Sequence, residues 1–239
     1  MSLVMIVPTK SRPENMGRLL HAVNATAGDE LERLVFAVDA DEPRLAEYQQ
    51  EIPENTENSE WDWVDLVPVN VTPQRMGPVL NALAADRARW SGAEYIGFMG
   101  DDHLPRTQDW DLELITALGG RPGVAYGNDL AQGEKLPTAV VISSDIICAL
   151  GFMCPPGQDH LYLDDFWKLL GETAGNLAYC PDTVIEHLHP HVGKARWDDS
   201  YAQNNSADQY KHDQDAYQRF LDEQWPGCVA RLKAAGITD

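Results

Sequence analysis

The sequence predicts an α/β protein: a Rossmann-like, mostly parallel central sheet with helices on both faces and a helical appendage at the C-terminal end. Three observations predict it. Apolar runs of strand length alternate with segments of helical period four times across the first half of the chain. Polar residues follow these runs at their carboxyl ends, at 9–12, 39–41 and 101–102. From Ser206 to Ala235 the chain reads as polar helix, interrupted at Pro226-Gly227. Residues 1–205 are therefore expected as one domain and 206–239 as the appendage.

Residues 3–7 form the first apolar run, stopped by Pro8. Ser11 and Glu14 have the spacing of a capping box, with Pro13 tolerated in the first turn; Met16, Leu19, Leu20 and Val23 follow at helical spacing. Residues 34–38 read as a second strand, 47–60 as a short helix and loop, and 63–71 as a third strand. Val79, Leu83 and Trp90 share one helical face. Residues 95–99 are a buried strand, and Thr107 is an N-cap for a helix carrying Trp110, Leu114 and Leu118 that ends at Gly119-Gly120. In the second half, 124–126 and 139–143 read as strands, 151–158 as loop and 166–170 as a short helix; 177–180 and 184–188 are two strands flanking Pro181-Asp182. The tail is expected to pack Tyr210, Tyr217, Phe220 and Trp225.

The chain has 239 residues and a formal charge of −20, which excludes nucleic-acid phosphate or anionic lipid as a broad-surface partner. A phosphorylated ligand would need local neutralisation by a metal or by a few placed Arg and Lys. The apolar run at 3–7 is too short for a signal peptide or membrane span, and the four cysteines have no CxxC spacing. A cytoplasmic protein with reduced thiols is the expectation.

The chemistry centres on residues 94–105. A buried strand ends in Gly100-Asp101-Asp102-His103, where burial of unpaired charge is costly and hard oxygen ligands suit a divalent cation; the alternative is a solvated turn. His187, His189 and His191 alternate, so an extended segment puts them on one face, either as metal ligands or as neutral surface residues. Asp164 and Asp165 open a helix, where they either complement its dipole or supply a general base. Asp39 and Asp41 either form a turn or bond a ribose or base. Arg12 either decorates a helix start or meets a phosphate or nucleobase. Trp167, Trp197 and Tyr201 are core or sugar platforms.

The order of these residues resembles the GT-A type glycosyltransferases, and among them the inverting family 2. The carriers are Pro8-Thr9-Lys10-Ser11-Arg12-Pro13, the acidic turn at Asp39 and Asp41, Asn81 before the pivotal strand, and the acidic motif at Asp101-Asp102. They continue with Gly151-Phe152, Leu163-Asp164-Asp165, Tyr179-Cys180-Pro181-Asp182 and His187. The resemblance covers residues 3–200, departing at His103, where the motif has Asp, and at Asp164, where it has Glu. It implies a nucleotide-binding half over 1–105 and an acceptor half over 106–205. Pro8, Thr9, Arg12, Asp39, Asp41, Asn81 and Asp101 would hold the nucleotide. Asp102, His187, His189 and His103 would serve Mn²⁺ or Mg²⁺, and Asp164 or Asp165 would be the base. The implied donor is a nucleotide diphosphate sugar, UDP-linked first, and the acceptor an unspecified hydroxyl. A sugar-nucleotide nucleotidyltransferase, which normally opens on a Gly-rich loop that Pro8-Thr9-Lys10-Ser11 lacks, and a non-catalytic binding module are the rivals.

Overall fold

The computed structural model describes residues 1–52, 62–86, 90, 92–190, 193–194 and 199–239. Its first half runs β1 (Leu3–Pro8), α1 (Pro13–Thr26), β2 (Leu31–Asp39), α2 (Leu45–Glu51), β3 (Val64–Val69), α3 (Met76–Ala84) and β4 (Tyr95–Phe98). The second half continues with β5 (His103–Pro105), α4 (Trp110–Ala117), β6 (Val124–Asn128), β7 (Val140–Ser143), α5 (Ser144–Leu150), α6 (Leu163–Thr173) and β8 (Leu177–His187). Helices α7 (Asp199–Asn204), α8 (Ala207–Glu223) and α9 (Trp225–Ala234) follow.

The eight strands form one sheet in the order β3-β2-β1-β4-β7-β6-β8-β5. The half built by the strand–helix alternation, β3-β2-β1-β4, is wholly parallel. β7 is antiparallel to both neighbours, and β5 is antiparallel to β8. The period-two alternation of each strand divides the core into two layers. Val4 and Ile6 of β1 face α3, α5 and α6; Leu3, Met5 and Val7 face α1 and α4. Among the described residues, no helix is long and apolar enough to cross a membrane.

Several expected details differ. Ser11 and Glu14 form no capping box: α1 has no side-chain cap, Glu14 pairs with Arg44, and Ser11 donates to Glu42. Thr107 is not an N-cap; its Oγ1 accepts from Val184 N–H at 2.8 Å and donates to Asp182 O, while Asp109 stands at the head of α4. The two strands flanking Pro181-Asp182 are one long strand, β8, with an irregularity where it leaves β6. Trp90 lies beyond the end of α3 and donates its indole N–H to Leu83 O at 2.8 Å. In the tail the helix break is at Gln224, and Pro226 sits inside the first turn of α9. Phe220, Cys228 and Leu232 share the core of the α6 face, Tyr217 stacks on Tyr162, and Tyr210 is exposed instead of packed. The expected loop at 53–60, His191 and Trp197 lie outside the described residues.

One buried acid ties α4 to the turn that opens β2. Asp111 is fully buried and accepts N–H bonds from Gly28 at 2.7 Å, Glu30 at 3.1 Å and Leu31 at 2.8 Å. Asp111→Ala leaves these donors unpaired, so chemical denaturation should show a loss of about 3 kcal/mol.

Candidate active site

The carboxyl ends of β1, β2 and β4 open on one crevice, the place where α/β sheets take ligands. The loop after β1 supplies its first wall. Thr9 Oγ1 donates to Asp101 Oδ2 at 2.7 Å and lies 3.0 Å from the Tyr48 hydroxyl, which also accepts the Arg12 N–H at 2.7 Å. Tyr48 thus orders the loop, and the loop orders Asp101. Arg12 pairs with Asp101 Oδ1 at 3.3 Å, yet burial, followed by the charge of Asp102, pushes the Asp101 carboxyl up to about 6. At the next strand end, Asp39 pairs with Lys10 at 2.7 Å. Tyr48→Phe should cost about 1 kcal/mol of stability, the loss of about one hydrogen bond that aligns the wall, and chemical denaturation of wild type and variant checks this.

The turn between β4 and β5 builds the acidic centre. A Cβ at Gly100 would come 2.7 Å from Asp102 Oδ1 and 2.8 Å from His103 Nδ1, so glycine lets the acid and imidazole close over the turn. The register of β5 on β8 pairs His103 with His187, and the rings stack at 4.0 Å. Leu188 N–H to Asp102 O and His187 N–H to Asp129 O fix that register. Asp102 Oδ1 is 3.3 Å from His103 Nδ1, and Oδ2 is 3.3 Å from His187 Nε2. Burial works to raise the Asp102 carboxyl, but bonds to the two imidazoles outweigh it and hold the acid well below its ordinary range. His103 is itself held down by burial and by His187.

Asp102, His103 and His187 offer ligand atoms within 4.8 Å of one another. His103 Nε2 is buried and has no hydrogen-bond partner. Its Nδ1 accepts the Gly100 N–H at 3.1 Å and lies 3.3 Å from Asp102 Oδ1; the tautomer with the proton on Nδ1 toward Asp102 is the one that leaves Nε2 a lone pair for a cation. A carboxylate with two imidazoles suits Mn²⁺ and fits Mg²⁺ less well. His189 lines the crevice and meets the His187 ring edge-on at 5.1 Å, outside this group of three.

Asp164, in the first turn of α6, also lines the crevice. Burial, followed by the charge of Asp165, raises its carboxyl to about 6. Asp165 is exposed and lies outside the crevice, as does Asp41, which is also exposed. The acid turned inward at that second turn is Glu42, which is buried and accepts from Ser11 and Arg44. Asn81 lies outside the crevice too: it accepts from Met153 N–H at 2.9 Å and Cys154 N–H at 2.8 Å, and donates to Cys154 O. It clamps the loop after α5, using its carbonyl oxygen twice and its NH₂ once. Pro8, Thr9, Arg12, Asp39, Asp101 and Asp102 line the crevice, as do His103, His187 and His189.

Sequence reasoning missed the roles of Tyr48, Glu42, His160 and Tyr201. Tyr201 is neither core nor an open platform: its hydroxyl donates to Asp102 Oδ2 and its ring lies 4.2 Å from the Arg12 guanidinium carbon. Trp167 is core, with its indole N–H on Met153 O at 2.9 Å. Tyr48 had one visible signal, an aromatic residue in an otherwise polar helix.

No family model matches the sequence, and no curated protein matches it. Solved structures do. The mannosyltransferase PcManGT from Pyrobaculum calidifontis, in complex with GDP-Man and Mn²⁺, matches with a TM-score of 0.59 at 16% identity, over 98% of this chain and 73% of that one. S. aureus TarS 1–349 in complex with UDP matches with a TM-score of 0.56 at 11% identity, over 94% of this chain and 73% of that one. The three-layer architecture, the half-parallel eight-stranded sheet and these likenesses agree: the chain has the fold of the GT-A glycosyltransferases.

Proposed function

We propose that this chain is a metal-dependent glycosyltransferase that moves a sugar from a nucleoside diphosphate to an acceptor hydroxyl. One observation carries the reading: a single cavity of about 290 Å³ is lined at once by Arg12, Asp39, Asp102, His187 and Asp164, which come from five separate parts of the chain. The β1 loop and Asp39 would hold the nucleoside and Arg12 would meet phosphate. Asp102, His103 and His187 would hold the cation. Mn²⁺ or Mg²⁺ bound there supplies positive charge against the leaving diphosphate, which a protein of net charge −20 otherwise lacks.

Asp164 is the base. A carboxyl at about 6 is mostly ionised at neutral pH, yet is a far better proton acceptor than an ordinary aspartate. It takes the proton of the acceptor hydroxyl; that oxygen bonds to the anomeric carbon, and the bond from this carbon to the diphosphate oxygen breaks. The nucleoside diphosphate leaves with the bonding pair. Direct displacement of the diphosphate by the activated hydroxyl inverts the anomeric centre. The two nucleotides in the similar structures, GDP-Man and UDP, define the first donors to try.

The test is thermal shift and calorimetry with UDP, GDP and TDP, with and without Mn²⁺, followed by donor hydrolysis with the sugar nucleotides. Saturation at about a hundred times Kd should stabilise the fold by about 2.7 kcal/mol. No stabilisation by any of the three with Mn²⁺ present removes the reading.

A further inference from the structure

We infer that His160 reads a sugar hydroxyl: its imidazole is a firmly mounted group in the crevice with no partner among the described residues, placed to exchange hydrogen bonds with a ligand alcohol. The inference rests on the transferase reading and goes beyond it, to the group that distinguishes one sugar from another.

The ring lines the cavity that also holds Asp164 and Asp102. It is packed by protein on most sides and open on the cavity. Among the described residues its backbone N–H has a partner, Asp213 Oδ2 at 3.1 Å, but neither ring nitrogen has one. The ring is half-buried and its nitrogens are not sealed off by protein, so a ligand alcohol in the cavity can meet them.

The backbone around it is held from two sides. Asp213 of α8 is fully buried, and its carboxylate accepts the consecutive N–H groups of Asp159, His160 and Leu161 at 3.3, 3.1 and 2.7 Å. Gln158 Nε2 donates to Leu161 O at 2.7 Å and Asp213 O at 2.9 Å. From the other side Gly77 N–H donates to Asp159 O at 2.9 Å, and a Cβ on Gly77 would stand 2.2 Å from Gln158 O. The loop is thus pinned between α3 and α8 while the imidazole is left unengaged.

Its charge state narrows the ligand. Burial pushes the imidazole down to about 4, and the nearby Arg75 and Arg12 push the same way against Asp213 and Asp102. At neutral pH the ring is uncharged, with one N–H donor and one lone pair. A phosphate calls for a cation; an alcohol, which both donates and accepts, matches the neutral ring. The alcohol belongs either to the transferred sugar or to the acceptor.

His160→Phe and His160→Gln separate these. Titrate each, with Mn²⁺, against UDP and GDP and against UDP-glucose, UDP-N-acetylglucosamine and GDP-mannose. If the ring reads the transferred sugar, His160→Phe loses about fivefold to tenfold in affinity for the sugar nucleotide that wild type binds. Affinity for the parent diphosphate stays unchanged, and His160→Gln, with a donor and an acceptor, recovers part of the loss. If it reads the acceptor, both affinities hold, and the KM for p-nitrophenyl glucoside or mannoside as acceptor rises by a similar factor. Equal loss for diphosphate and sugar nucleotide, or no change in donor or acceptor binding, overturns the inference. Should His160→Phe fail to fold, His160→Ala carries the same comparison. Wild type binding none of the nucleotides removes the transferase reading itself, before any variant is compared.

Discussion

Asp164→Asn is expected to lower turnover by roughly 10²–10⁴-fold while nucleotide and cation binding stay near wild type. Asn keeps the size and polarity of the side chain but cannot accept a proton at neutral pH. Asp164 belongs to neither the β1 loop nor the acidic turn, so its loss should leave donor affinity alone. Asp165→Asn is the control: that side chain is exposed and outside the crevice, and its turnover should stay within about threefold of wild type. The pH profile carries a second signature. The base works when ionised, and its carboxyl is raised to about 6, so the rate should be flat above that value and fall about tenfold per unit below it. A profile flat down to pH 5 would remove Asp164 from the role. The same variant separates an enzyme from a binding module, because a module has no turnover to lose.

Why the sequence treats Asp164 and Asp165 alike, while Asp164 lines the crevice and Asp165 does not, is a matter of helix register. Leu163, Phe166, Trp167 and Leu170 make the buried stripe of α6. At about 100° per residue, Asp164 falls at the edge of that stripe and Asp165 on the far side. The distinction was present in the spacing and needed only the helix to start two residues before Asp165. Period also sufficed for β1 and β4, whose apolar runs match the strands to within one residue, and for the parallel half of the sheet; it found β2 but missed its first three residues, which carry Glu32 and Arg33. It failed where a side chain had two possible employers. Ser11 and Glu14 have the spacing of a capping box, but Glu42 and Arg44, distant in sequence, bind them instead. Asn81 sits where a family pattern expects a nucleotide contact, and a loop more than seventy residues away takes its amide. Asp41 and Glu42 are adjacent acids, and only the geometry of the turn decides which faces inward. His160 carries no motif; its interest comes wholly from the absence of a partner, which no spacing reveals.

Asp102→Asn is expected to abolish cation binding, lowering Mn²⁺ affinity by about a hundredfold or more, beyond the 10–100-fold typical of a lost second-layer partner. The argument runs through both carboxylate oxygens. Oδ1 faces His103 and Oδ2 faces His187, so the acid joins both imidazoles, and Asn would supply one neutral oxygen in place of two charged ones. Without metal the variant should lose about 1–3 kcal/mol, since the imidazoles and the Tyr201 hydroxyl keep a poorer partner. The loss of stabilisation on adding Mn²⁺ is a separate and larger effect, read by the change in thermal midpoint and by electron paramagnetic resonance of free Mn²⁺. His189→Ala provides the contrast, because that ring stands outside the group of three and its removal should change Mn²⁺ affinity by about threefold at most. Equal losses in the two variants would mean that the cation sits elsewhere in the crevice. Unchanged Mn²⁺ affinity in Asp102→Asn would break the link between the acidic turn and the metal, and the case for charge neutralisation at the diphosphate would have to rest on the cationic side chains that line the crevice, Lys10, Arg12 and Arg75.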